Sequence, residues 1–339
     1  MMLARVCRSG VSPNLISLLK SPATSKSFIP RIQSSRLFAN DGRHTFARSA
    51  RRSATISEQA AAPAGETAFS LGKGALAGGA VIGLGSLCYY GLGFSPSMGT
   101  IDYVKYWPQH VKERIRTTYM YLGASILSST AAAAICLRSP VIMNMVMRQG
   151  WVSMLVTIAA VWGSGIMLQS IPYKEGFGAK QLAWLAHTGT VGAILAPLYL
   201  LGGPLVLRAA WYTASIVGGL SIVAVCAPNE TFLKMGGPLA IGLGVVFASS
   251  VGSMFLPPTT ALGSGLYSMS LYGGLILFSM LLLYDTQRII KQAETYPVHE
   301  HMVRPYDPIN NAISVYMDVV NIFVRILTLL AGGGNRRQK

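Results

Sequence analysis

Two aspartates stand where a lipid-spanning sequence should exclude them. The stretch over residues 264–290, SGLYSMSLYGGLILFSMLLLYDTQRII, holds Asp285, and DPINNAISVYMDVVNIFVRILTLLA over residues 307–331 holds Asp318. A carboxylate in a hydrocarbon-spanning helix costs about 2.5–3.5 kcal/mol on insertion scales, so it faces a protein interior or a water cavity. The helix carrying Asp285 is expected to end near Thr295, because Tyr296-Pro297 cannot continue it. The next one is expected to start at Asp307-Pro308, an N-cap acid followed by proline at the first helical position. At about 1.5 Å per residue, both acids then lie roughly 15 Å from the same membrane side. Two acids sharing a site do not both ionise easily, which makes the pair proton-sensitive. Deprotonated, the pair offers hard oxygen ligands suited to Ca2+.

Asn311, Ser314, Asp318, Asn321 and Arg325 recur at spacings of three and four and form one polar stripe along an otherwise apolar helix. Such a stripe faces other helices or water. The plainer alternative for Asp318 is a structural acid solvated by Asn321 or a neighbouring helix, and for Asp285 an acid paired with Arg288 one turn on. Asp307 is a weaker ion-binding candidate at the mouth, since its N-cap role already accounts for it. His187, in AWLAHTGTVG, is a second weaker candidate, as a proton relay. A histidine bonded to Thr190 or to water is the commoner arrangement. No motif of paired cysteines or of Cys and His suggests a metal centre. Cys88, Cys136 and Cys226 sit singly in apolar runs and read as buried free thiols. No resident cofactor is expected.

The elements that position these residues are set by composition. The chain has 339 residues, 51% hydrophobic and 12% charged, about half the charged fraction of soluble domains. Several apolar runs reach the length of about 20 residues that a bilayer helix needs. The expected fold is all-α: a polytopic transmembrane helix bundle with seven core helices and one extra N-terminal Gly-rich span. Spans are expected near 75–94, 117–137, 150–171, 182–202, 205–227 and 238–257, followed by the two aspartate helices. Breaks fall at Arg138-Ser139-Pro140, Ile171-Pro172, Gly202-Gly203-Pro204, Pro228-Asn229 and Pro257-Pro258.

The formal charge of +16 suggests nucleic acid only until its distribution is seen. Ten of the 28 Lys and Arg residues precede Ser57, opposed there by Asp41 alone. An Arg-rich, Ser-rich, acid-poor N-terminus is a mitochondrial transit peptide pattern. Residues 1–38 are assigned to it, with the mature start near Ala39. A flexible linker is expected over 39–72, and the Gly-rich first span with an interfacial connector over 73–116. The transmembrane bundle follows over 117–331 and a basic tail over 332–339. Tyr103, Tyr106 and Trp107 beside Lys105, Lys112, Arg114 and Arg116 mark a membrane interface. One such connector is weak support for RNA binding, so no nucleic-acid partner is expected. The glycines Gly74, Gly78, Gly79, Gly83 and Gly85 read as a helix-packing face.

Leu283-Tyr284-Asp285-Thr286-Gln287, followed by Ser314-Val315-Tyr316-Met317-Asp318-Val319-Val320-Asn321-Ile322-Phe323, resembles the carboxy-terminal signature of the transmembrane BAX inhibitor motif family. The resemblance covers roughly residues 117–331. The presequence, the extra Gly-rich span and Tyr306-Asp307-Pro308-Ile309-Asn310 resemble its mitochondrial branch. The resemblance implies seven core helices around a central last one, and a pH-sensitive calcium pathway gated by an aspartate pair that maps onto Asp285 and Asp318. It further implies an inner-mitochondrial-membrane, multi-pass protein linked to calcium–proton exchange, cristae organisation and restraint of cytochrome c release. The partners it implies are the lipid bilayer, cytochrome c, other inner-membrane proteins and a second copy of the chain. A bacterial relative latches its acid pair with an arginine from the second core helix. Here the span over 150–171 has neither Lys nor Arg, and Gln169 sits near its end.

The competing readings are a cristae scaffold without ion coupling and a pH-gated calcium leak channel. An enzyme is not expected: an intramembrane aspartyl protease also uses two helix-borne aspartates, but Asp318 lacks a Gly-x-Gly-Asp context.

Overall fold

A computed structural model of the chain describes residues 67–91, 99, 104–147, 150–228, 230–297 and 306–334. The transit peptide over 1–38, the linker up to residue 66 and the end of the basic tail lie outside the described residues. The described chain is helical, with eight helices long and apolar enough to cross a membrane. We number the helices α1 (Thr67–Ser86), α2 (Gln109–Arg138), α3 (Pro140–Val146), α4 (Trp151–Ser170) and α5 (Ala179–Leu195). They are followed by α6 (Gly203–Cys226), α7 (Gly236–Phe255), α8 (Ala261–Ser268), α9 (Gly274–Thr295) and α10 (Pro308–Gly334). A π turn, Met269–Gly273, joins α8 to α9 within one span.

The span boundaries follow the expected breaks, with three shifts, one of them at the end of the chain, where residues 332–334, expected in the basic tail, continue α10. Residues 67–72, expected in the linker, already belong to α1. Residues 109–116, expected in the interfacial connector, are the first two turns of α2. The reason is local: Gln109-His110-Val111-Lys112-Glu113-Arg114-Ile115-Arg116 contains no breaker after Pro108, so the helix runs unbroken from its polar turns into the apolar span.

α10 is the axis of the bundle and packs against α2, α6 and α9. Val315, Ile322, Ile326 and Leu327 enter one apolar cluster with Ala209 of α6, Leu239 and Val246 of α7, and Leu277 and Phe278 of α9. Ile309, Ile313 and Tyr316 enter a second one with Leu168 of α4 and Ala183, Trp184 and Val191 of α5. A helix with apolar residues on several faces has to be interior. The outer helices show the complementary pattern: Leu155, Trp162 and Ile166 of α4 and Trp211 of α6 point outward, which suits a lipid solvent.

Because lipid is as apolar as leucine, close packing and polar contacts bind such helices together. α2 and α5 meet where Gly192 faces Ser129: a Cβ at Gly192 would overlap the Ser129 carbonyl oxygen. Beside that crossing, Trp184 Nε1 donates to Ser125 Oγ at 2.8 Å, and the Ser128 and Thr188 hydroxyls share a bond at 2.9 Å. α1 packs on α8 and the π turn through Gly72, against Tyr272 and Ser268, while its Gly79 meets Ile276 of α9. Gly74, Gly78, Gly83 and Gly85 have open space in front of them. Of the three described cysteines, Cys136 and Cys226 are buried as expected, but Cys88, in the π-helical segment Leu87–Gly91 after α1, is exposed.

Candidate functional site

Asp285 of α9 and Asp318 of α10 are both buried, at 8% and 5% exposure. α9 and α10, which carry them, are packed against each other. The aspartates differ in company. Asp285 Oδ1 has the Arg288 guanidinium 3.7 Å away, one turn along the same helix. Asp318 Oδ2 is buried without a hydrogen-bond partner. A buried carboxylate oxygen with nothing to bond is costly, so the group waits for a proton, a cation or water.

A cavity of about 330 Å³ opens at the end of the bundle where α9 stops and α10 starts. Gln169, Ile171 and Tyr173 wall it on one side, Arg288, Gln292 and Tyr296 on another, and Tyr306, Asp307, Asn310 and Asn311 on the third. Arg288 therefore belongs both to the cavity wall and to Asp285. α4 has neither Lys nor Arg, and the cation beside Asp285 comes from α9 itself. Burial, with Tyr121, Glu175 and Asp307 nearby, pushes the Tyr173 phenol up to about 12. Tyr173 thus stays a neutral hydroxyl at any physiological pH.

The cavity is held in shape by a lysine that the sequence did not single out. Lys180, in the first turn of α5, is 2% exposed. Its Nζ donates to the carbonyl oxygens of Leu168 at 2.7 Å and Ile171 at 3.0 Å, and to Asn310 Oδ1 at 2.8 Å. It lies 2.8 Å from Asp307 Oδ2 as well. One ammonium thus satisfies orphan carbonyls at the C-terminus of α4 and neutralises the N-cap of α10. The other oxygen of Asp307 is the cap itself, accepting from the Ile309 and Asn310 amides at 3.1 and 3.0 Å. Asp307 is therefore a capping and pairing group, and the structure brings it into the cavity wall as a neutralised acid. Across the cavity, Arg114 of α2 donates to the carbonyls of Ala293 and Tyr296 at 3.0 Å each, and its guanidinium lies over the rings of Tyr296 and Tyr306.

The polar stripe of α10 runs inward from this mouth. Asn311 lines the cavity, and Ser314 Oγ reaches the Asn310 carbonyl at 3.5 Å. Asn321 donates to the Met317 carbonyl at 2.9 Å and accepts from Arg325 Nη1 at 2.9 Å. Asp318 is thus not solvated by Asn321, whose amide is committed to its own helix and to Arg325. His187 lies elsewhere. Its Nδ1 is 2.9 Å from Ser164 Oγ of α4, not bonded to Thr190, whose hydroxyl donates to the Ala186 carbonyl. His187 Nε2 is buried without a partner. The histidine belongs to the α4–α5 seam and is not among the residues lining the mouth. Among the described residues, no three of His, Cys, Asp and Glu gather as a metal site.

The comparisons with known proteins bear on this arrangement. The family model described as Inhibitor of apoptosis-promoting Bax1 matches residues 111–336, which takes in every helix from α2 onward. Growth hormone-inducible transmembrane protein of Rattus norvegicus is 54% identical over 286 residues, covering 84% of this chain and 82% of that protein. An uncharacterized protein of Helicobacter pylori is 30% identical over 223 residues, covering 64% of this chain and 85% of its own length. Bax inhibitor 1 of Rattus norvegicus is 30% identical over 180 residues, which is 51% of this chain and 70% of the relative. With the helical bundle, the central last helix and the paired aspartates described above, the chain belongs to the family of Bax1 inhibitors, as a multi-span membrane protein.

Proposed function

We propose that the chain is a calcium/proton exchanger of the mitochondrial inner membrane, in which Asp285 and Asp318 bind either Ca2+ or protons. The observation that carries this reading is the buried acid pair on packed helices, with Asp318 Oδ2 unpartnered. Two carboxylates offer at most four oxygens, and Ca2+ takes 6–8 ligands. Water from the cavity and side-chain or backbone oxygens of the stripe have to complete the shell, which suits an ion that is carried through rather than stored. Arg288 holds Asp285 while the ion is absent. An arriving Ca2+ displaces the guanidinium into the cavity, where its exposed position gives it water. Protonation of the pair removes its charge and releases the ion. The inner-membrane assignment rests on the basic, acid-poor N-terminus, and a contribution to restraint of cytochrome c release rests on the family.

Calcium uptake into proteoliposomes tests the reading. An imposed pH gradient is expected to drive uptake by the wild-type chain, and Asp285→Asn to reduce it to the level of empty vesicles. Flux down the calcium gradient with no proton movement makes the protein a leak channel. Wild-type transport rates in Asp285→Asn would remove that acid from the pathway.

One observation favours a second reading, a scaffold that shapes cristae by association. A Cβ at Gly78 or Gly83 of α1 would meet nothing among the described residues, which leaves a small-residue face for a second helix. Gly78→Leu with Gly83→Leu is expected to shift complexes on a native gel while leaving calcium flux intact. Unchanged complexes would count against the scaffold.

A further inference from the structure

The stripe on α10 has two ends, and they are built differently. At the mouth, Asn311 meets the cavity. On the other side of Asp318, seven residues and about 10.5 Å along the helix, it stops at Arg325. No acid pairs with this arginine among the described residues. It is held by four other contacts. Arg325 Nε donates to the Ser270 carbonyl at 3.2 Å, and Nη1 to the Asn321 carbonyl and Oδ1 at 3.1 and 2.9 Å. Its Cζ sits 4.5 Å above the Phe278 ring. Gly274 makes room for it, because a Cβ there would overlap Nε.

Each contact comes from the junction of α8 and α9 or from α10 itself. Ser270 lies in the π turn, whose widened backbone leaves a carbonyl able to take a side-chain donor. Gly274 and Phe278 follow within the first turns of α9. The guanidinium is a planar fork placed over an aromatic ring. A fixed positive charge in a low-dielectric constriction repels cations. The cavity opens at the α9–α10 end of the bundle, and Arg325 stands on the opposite side of Asp318 from it.

We propose that Arg325 is the gate on the far side of the acid pair, seated by the π turn and released when α10 shifts against α9. This rests on the exchanger reading and adds to it. Coupling requires that the acids never face both sides at once, and Arg325 is the group that blocks the second side. Opening consists of drawing the guanidinium off Ser270 and Phe278. The π turn is the element that can give way, because its hydrogen bonding differs from that of the α-helix on either side.

The test uses the purified chain in proteoliposomes, with proton-driven Ca2+ uptake and passive K+ and Ca2+ leak measured in parallel. Arg325→Gln keeps an amide donor and an apolar stem, is two heavy atoms shorter and loses the charge. It is expected to raise passive leak on the order of tenfold or more and to lose proton coupling, while Arg325→Lys restores part of the block. Gly274→Ala, which pushes on the guanidinium with Arg325 unchanged, is expected to leak in the same way and serves if Arg325→Gln does not fold. A wild type that exchanges, beside tight and coupled Arg325→Gln and Gly274→Ala, overturns the gate and leaves the exchanger standing. A wild type that moves no calcium overturns the exchanger and the gate with it.

Discussion

Asp318→Asn is expected to abolish proton-driven calcium uptake while leaving the protein as stable as wild type or more so. The two halves of this result have one cause. Asp318 is buried in the central helix, and its Oδ2 has no donor to pair with. A charged carboxylate at that depth costs at least about 2.5 kcal/mol. Asparagine fills the same volume, carries no charge and adds two donors that can reach nearby carbonyls. Stability therefore holds or rises, and the oxygen that would exchange a proton for Ca2+ is gone. Uptake under an imposed pH gradient and a thermal melt of the same preparation check both halves. A structural acid would behave in the opposite way: its loss would lower the melting temperature and spare transport.

Asp285 makes the contrast sharper. Its partner Arg288 has a side chain 45% exposed and can take water when the acid is neutralised. Asp285→Asn is therefore expected to remove transport with little change in stability, because the Arg288 side chain it leaves behind is 45% exposed. The two neutral variants share a transport defect without a loss of stability, a pattern expected of acids that serve an ion and not the fold.

Much of this site was legible in the sequence, for a physical reason. An aspartate in an apolar run of span length is a strong signal, since few contexts tolerate it. The stripe through Asn311, Ser314, Asp318, Asn321 and Arg325 follows from helical period alone, and the Asp285–Arg288 pair from a spacing of three. The span boundaries followed from proline and glycine breaks. What periodicity cannot say is which helix lies opposite. His187 therefore meets Ser164 and not Thr190, and Lys180 reaches Asn310 across 130 residues of chain. The seat of Arg325 was equally hidden. The π turn at Met269–Gly273 shifts the phase of the following helix, so the faces of α8 and α9 cannot be read as one wheel. Gln109–Arg116 read as an interface because of its charge, although nothing in it stops a helix.

Lys180→Met is expected to be the most damaging single change outside the acid pair, costing about 3–5 kcal/mol by the usual loss from a broken buried ion pair. Methionine matches the length and the apolar stem, so packing is nearly conserved and the loss isolates the ammonium. Its removal strands the Leu168 and Ile171 carbonyls at the end of α4 and leaves Asp307, 21% exposed at its side chain, without its cation. The Asn310 amide loses its donor at the same time. Adding Asp307→Asn is expected to recover part of the loss, because asparagine still caps α10 and no uncompensated charge remains. Thermal melts of the wild type, both single variants and the double variant close the cycle. A fall of the same size in the single and double variants would show that the carbonyls, not the charge, govern the site. Transport is expected to weaken with Lys180→Met, since Ile171, Asp307 and Asn310 wall the cavity as well as bind the lysine. Because α10 begins where Lys180 grips it, the same contact anchors the helix that carries Asp318.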